Sequence, residues 1–332
     1  MVFAYEVDNF TNRYRPLHDS QDGLDKKMNE MMSKVHENLG NQDALNARTS
    51  RGVQKKTCDK VKFAKAAHGY LSSAVIGGME TFANKEKTVS VHAPHADSIY
   101  AEAEDTGTIL DLAGINSSVN VNGNYIGTDK LNHFIDQGFG MWLTYKEKGD
   151  PAKGLQAALN KSESSENQYF GLQTTGIKSY GDLSANYSGM KFWLSLTDGP
   201  QPYFKCEDDK WTQVREFRWA EYVDASWDEA INCSVFDTDN FKISVDKHQA
   251  MLEERAKRNG REQRFKCPVS TQECEKLTKL RGKNAAQLLG PGCLDAKANP
   301  EEGKYSAQVP FSKNPVSSTT SSSPLITPEG QN

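Results

Sequence analysis

The chain has 332 residues, a net charge of −4 and a pI near 6.0. That balance excludes a global pull toward nucleic acid or an anionic membrane, so no nucleic-acid partner is expected. No run approaches the ~18 consecutive apolar residues of a spanning helix, and a soluble protein without a membrane span is expected.

The N-terminus reads "MVFAYEVDNF". Val2-Phe3-Ala4 before an abruptly polar start has the small-x-Ala form of a secretory signal's last residues, and residues 1–4 read as its residual end. The rest of 1–19 reads as an extended arm. Ser20 then caps a helix to about Leu39, with Leu24, Met28, Met31, Val35 and Leu39 on one apolar stripe. A second helix is expected from about Asp59 to Phe82, weakened at its end by Gly77-Gly78. "TVSVHA", Thr88 to Ala93, alternates as a strand does, and the following "VHAPHAD" reads as a loop around Pro94 rather than a metal site. In "SVNVNGNYIG", Asn122-Gly123 supplies the positive φ angles of a two-residue hairpin turn.

Three helices follow, at about Asp129–Lys146, Pro151–Gln173 and Tyr180–Leu196. On the first, Leu131, Ile135, Phe139 and Trp142 share one side, while Asp129, His133, Asp136 and Gly140 share the other. The bland reading makes Thr128 the helix cap, with His133 paired at the surface to Asp129. The third helix is apolar on two sides, which predicts burial, yet it carries Asp182, Asn186 and Gly189 along its flank. Ser179 and Asp182 fit a capping box, which leaves Asn186 unexplained. Small residues such as Gly189 let another group approach the backbone closely. Glu166, ahead of an apolar segment, is the remaining candidate carboxylate.

After residue 198 the texture changes. Residues 199–311 are rich in aromatic residues and hold five of the six cysteines, Cys206, Cys233, Cys267, Cys274 and Cys293, with Cys58 far upstream. Six allow fifteen pairings; the preferred set is Cys206–Cys233, Cys267–Cys274 and Cys58–Cys293. An even count without a C-x-x-C pair favours disulfides in an oxidising, exported setting over zinc, so a periplasmic or secreted location is expected. "HQAMLEERAKRNGREQRF" reads as a charged surface helix, and residues 312–332 as a disordered Ser/Thr/Pro tail. The fold expected is mainly helical α+β: a helical core over 20–198 with a hairpin and a polar centre, then a small disulfide-linked region.

The series Asp129, Lys130, His133 and Phe134, then Glu166, then Ser179, Asp182, Asn186 and Gly189, resembles the motif order of VanZ-like proteins. It also resembles that of small YfiM-like lipoproteins of the bacterial envelope. The resemblance spans roughly residues 125–195 and implies an envelope location with a shared polar centre. It departs from the VanZ-like pattern in helices too polar to span a bilayer and in Tyr169 where the E-x-x-Q pattern has Gln. The residues themselves suggest two functions. One is a hydrolase of cell-wall glycan (peptidoglycan), with His133, Glu166 and Asp182 catalytic, and Asp129, Lys130 and Asn186 binding. The other is a non-catalytic envelope protein whose polar residues form a buried network or a ligand site. Neither requires a metal or other cofactor.

Overall fold

The structure, a computed structural model, describes residues 6–14, 17–40, 58–72, 78–101 and 115–297. The signal end at 1–4 and the tail at 312–332 lie outside these. The fold is mainly helical α+β.

The arm is tied down rather than loose. Glu6–Val7 (β1) pairs in parallel with Ile115–Asn116. Asp8 accepts the backbone N–H groups of Phe10, Thr11 and Ile99, and Arg13 reaches Asp228 at 2.6 Å. The stripe of Gln21–Leu39 (α1) is buried as its spacing predicts. Ser20 stands at its N-cap position but makes no capping bond; its hydroxyl donates to Val89 O instead. The long second helix is two helices, Lys60–Leu71 (α2) and Met79–Lys85 (α3), and Gly78 is the N-cap residue of α3. Residues 73–77 between them lie outside the described set.

Ser90–Val91 (β2) joins a three-stranded antiparallel sheet with the hairpin strands. With Ile115–Asn116 as β3, the hairpin is Ser118–Val121 (β4) and Asn124–Gly127 (β5), in the register Val121↔Asn124. Asn122 and Gly123 take φ of 50° and 87°, the turn geometry that Asn-Gly encodes.

The next helix (α4) runs through Asp129–Asn132, a π-helical turn His133–Gln137, and Gly138–Glu147. Pro151–Ser165 (α5) likewise continues into a π-helical turn, Glu166–Phe170. Ile177–Lys178 (β6) leads into Tyr180–Ser195 (α6), which is buried on nearly all sides along its first half. Gly189 is what lets α4 and α6 cross closely: a Cβ there would stand 1.9 Å from Phe134 O. Trp193 Nε1 donates to Ile135 O at 2.9 Å, taking up a carbonyl within the π turn.

Phe204–Glu207 (β7) and Lys210–Gln213 (β8) form a second hairpin. The aromatic stretch that follows holds two single 3-10 turns, Trp219–Glu221 and Ala225–Trp227. Their aromatics are core. Phe134 is ringed by Phe192, Phe217, Trp219, Tyr222 and Trp227, with centroids 5.0–5.9 Å away. Val235–Phe236 (β9) pairs with β6, and Asp239–Arg258 (α7) is the charged helix. Thr271–Arg281 (α8) and the short Ala285–Leu288 (α9) and Pro291–Leu294 (α10) close the described chain.

All six cysteines are paired, but not as preferred from sequence. The bonds are Cys58–Cys206, Cys233–Cys267 and Cys274–Cys293, with Cα–Cα distances of 5.8, 5.8 and 5.1 Å. Two of the preferred pairs took near neighbours along the chain and left Cys58 to Cys293. Instead β7 carries Cys206 to the start of α2, beside Cys58, and the loop holding Cys267 returns to the Ala230–Cys233 segment, where Val269 N–H bonds Ala230 O at 2.8 Å.

Candidate functional site

The polar residues singled out in the sequence do meet, at the crossing of α4, α5 and α6. Lys130 is at the centre and fully buried. Its Nζ lies 2.5 Å from Asp182 Oδ1, 2.6 Å from Glu229 Oε1 and 2.8 Å from Asp129 Oδ2. It was expected to bind a ligand; its ammonium is instead enclosed by the protein's own carboxylates. Gly181 makes room for it, since a Cβ there would be 3.0 Å from Lys130 Cε and 3.2 Å from Glu229 Cγ.

Burial alone would discharge Lys130, but the carboxylates of Asp129, Asp182 and Glu229 outweigh it and hold the ammonium well above its ordinary range. Burial likewise works against ionised Asp182, yet His133 and Lys130 prevail and lower its pKa. For Asp129 burial wins over Lys130, and its pKa is raised. Glu229 is pushed up to about 7 by burial, against the pull of Lys130. Glu166 and Glu6 are held well above the carboxylate range by burial, reinforced by neighbouring negative charge.

The capping box is rearranged. Ser179 Oγ accepts from Asp182 N–H at 3.1 Å, as the pattern predicts. The group that accepts Ser179 N–H is Glu166 Oε1, at 3.0 Å, reaching over from the end of α5. Asp182's carboxylate is thereby available to Lys130 and His133. Ser179 Oγ also donates to Glu229 Oε1 at 2.5 Å. Thr128, expected as the cap of α4, makes no capping bond; its buried hydroxyl donates to Asn84 Oδ1 at 2.8 Å.

His133 is the rim of the cluster, with 13% of its side chain exposed. Its Nε2 is 3.2 Å from Asp182 Oδ2, so α6 contributes a partner closer in role than the Asp129 expected one turn away. The other nitrogen, Nδ1, faces the Asn186 amide at 3.0 Å. Two carbonyl oxygens, Asp182 O and His133 O, also face that amide, at 3.2 and 3.1 Å, while Ser162 Oγ lies 3.0 Å from its other end. Carbonyls require a donor, so the amide nitrogen points to His133 and the oxygen accepts from Ser162. Nδ1 of His133 is then an acceptor, and Nε2 carries the proton given to Asp182. Both ring nitrogens are engaged within the protein.

Donor atoms of Asp129, His133 and Asp182 lie within 4.8 Å of one another, close enough to share a metal ion. Lys130 Nζ, between the two aspartates, already provides the compensating positive charge. Asp136, on the same side of α4 by angle, pairs with His68 Nε2 at 3.0 Å.

Glu229, Glu6 and Ser162 were not found by sequence reasoning. Glu229 sits in "ASWDEAIN", where an acid among aromatics was the only hint, and Glu6 sits in a segment read as an arm. No protein-family model, curated protein or solved structure matches the chain. Among the described residues no helix is long and apolar enough to cross a membrane.

Proposed function

We propose that this is an exported cell-envelope protein whose polar centre is a packing device: a buried ion network that fixes how α4, α5 and α6 dock. One observation carries this reading. His133, the rim residue, has one nitrogen donating to Asp182 and the other accepting from Asn186. A general base needs a lone pair aimed at the substrate, and here none is left over. The carboxylates are drawn inward too, Asp129, Asp182 and Glu229 each through one oxygen to Lys130 and Glu166 through one to Ser179 N–H, while Asp129 Oδ1 and Glu229 Oε2 have no hydrogen-bond partner among the described residues. The three disulfides fit an oxidising compartment outside the cytoplasm. The VanZ-like and YfiM-like resemblance supports a bacterial envelope over other exported settings. The test is thermal unfolding of Asp182→Ala and Asn186→Ala. Each lowers Tm by several degrees if the network holds the helices; unchanged Tm in both overturns the reading.

A second reading, a peptidoglycan hydrolase, draws on a different observation. Burial raises the pKa of Glu166 well above the carboxylate range, while His133 and Lys130, against burial, lower that of Asp182; glycoside cleavage uses two carboxyls shifted in such opposite directions. Both π-helical turns begin at candidate residues, His133 and Glu166, and such turns are frequent at functional sites. Release of soluble fragments from purified peptidoglycan, abolished by Glu166→Gln, would establish it. No release across the pH range counts against it.

A further inference from the structure

A hollow of about 310 Å³ lies apart from the ionic centre and shares no residue with it. Three distant parts of the chain wall it: Thr11 and Tyr14 of the arm, Asp97 of the turn after β2, and the last turns of α7 with the loop to Phe265. Leu252, Ala256 and Phe265 supply the apolar part of its lining. Arg255 and Arg261 stand on its walls, and neither forms an ion pair among the described residues. Two guanidiniums against the single carboxylate of Asp97 leave the hollow positive in a chain of net charge −4.

The walls are built, not incidental. Tyr14 Oη donates to Arg264 O at 2.9 Å and accepts Arg264 N–H at 3.1 Å, pinning the loop to the arm. Glu253 Oε1 accepts the N–H groups of Phe265 and Lys266 at 2.8 and 2.9 Å. Arg261 N–H closes back on Ala256 O at 3.0 Å, and Tyr14 meets Phe265 edge to face at 5.3 Å. The plain account of Arg255 is a cation near a helix C-terminus, favoured by the helix dipole. Lys257 and Arg258 serve that role equally, facing solvent. The dipole explains neither a walled hollow nor a second arginine, Arg261, past the helix end and lining the same hollow.

We propose that this hollow binds a small organic anion, a phosphate monoester on one planar apolar body. A guanidinium matches the oxygen geometry of such a group, and the apolar part of the lining takes the ring. The volume, at the lower end for ligand pockets, suits one ring rather than a polymer.

Isothermal titration with phenyl phosphate, inorganic phosphate and phenol tests it on the full chain. Phenyl phosphate is expected to bind about tenfold or more tighter than either fragment, since each fragment forfeits one half of the recognition. The Arg255→Ala/Arg261→Ala double variant, altered only at exposed side chains, should keep its Tm and lose that binding. His133→Ala should bind as the parent does, which separates this hollow from the ionic centre. The proposal is overturned if phenyl phosphate fails to bind at millimolar concentration. It is equally overturned if the double variant binds unchanged, or if inorganic phosphate binds as tightly as the ester.

Discussion

The ionic centre around Lys130 and the charged face of α7 use the same residue types to opposite ends. On α7, Lys242 pairs with Asp246 and Arg258 with Glu254, one turn apart, with all four side chains largely in water. Removing any of them leaves its partner solvated. At the centre, Lys130 meets Asp129 next to it in sequence, Asp182 on α6 and Glu229 in a loop 99 residues from Lys130, with none of the four appreciably exposed. There a missing partner strands charge away from water. The lesson is that what surrounds an ion pair, not the pair itself, sets its worth.

Lys130→Met tests that contrast where it is greatest. The substitution keeps the stem and deletes the one full positive charge among three carboxylates. Breaking a buried pair typically costs about 3–5 kcal/mol, and here three partners are stranded at once. A lower denaturation midpoint in urea at neutral pH is expected. Lowering the pH should recover part of the loss, because the orphaned acids can then take up protons. A midpoint equal to the parent's would mean that the network adds nothing to folding.

Glu229 sharpens the comparison through pH. Its folded pKa of about 7 lies above its ordinary value of 4.5, so the folded state binds its proton more tightly. The sign follows from linkage: the contribution is full below pH ~4.5 and is lost as pH rises through about 7. Asp182, with its pKa lowered, acts in the opposite sense and loses its contribution as pH falls through its depressed value. Glu229→Gln keeps the shape and removes the proton. It should flatten the fall in stability between pH 5 and 7, by roughly 1–2 kcal/mol across that window. An unchanged slope would assign the titration to Glu166 or Glu6 instead.

The same contrast explains what the sequence disclosed. Residues whose role is set by local spacing were readable: the α1 stripe, the Asn122-Gly123 turn, and Ser179 as a cap. Helical periodicity also put His133 on one helix and Asp182 and Asn186 on the flank of another, while the crossing that brings them together is visible only in the fold. Gly189 was read as a point of close approach, and Phe134 O is what approaches. Partners that arrive from irregular chain were not readable. Glu229 precedes no repeat and follows two 3-10 turns, and Glu6 lies on a two-residue strand. The disulfides escaped for a related reason. Cys58 and Cys206 are 148 residues apart and meet only because β7 packs beside the start of α2. The capping box misled in its acid: Glu166, from another helix, took the place that local spacing assigns to Asp182.

The smallest effect is expected on α7, and it completes the argument. Lys242 is half-exposed, 58% of its side chain, and its partner Asp246 is 46% exposed. An i,i+4 pair of this kind is worth about 0.3–0.5 kcal/mol, weakened further by salt. Lys242→Ala also exchanges a good helix former for a slightly better one, which offsets part of that loss. The net change in the urea midpoint should correspond to less than about 0.5 kcal/mol, and raising the salt to 1 M should erase most of it. Lys130→Met, shielded from ions as well as from water, should keep most of its destabilisation in the same salt. If the two variants respond alike to salt, the centre is wetter than its burial implies. The distinction drawn between the two regions would then fail.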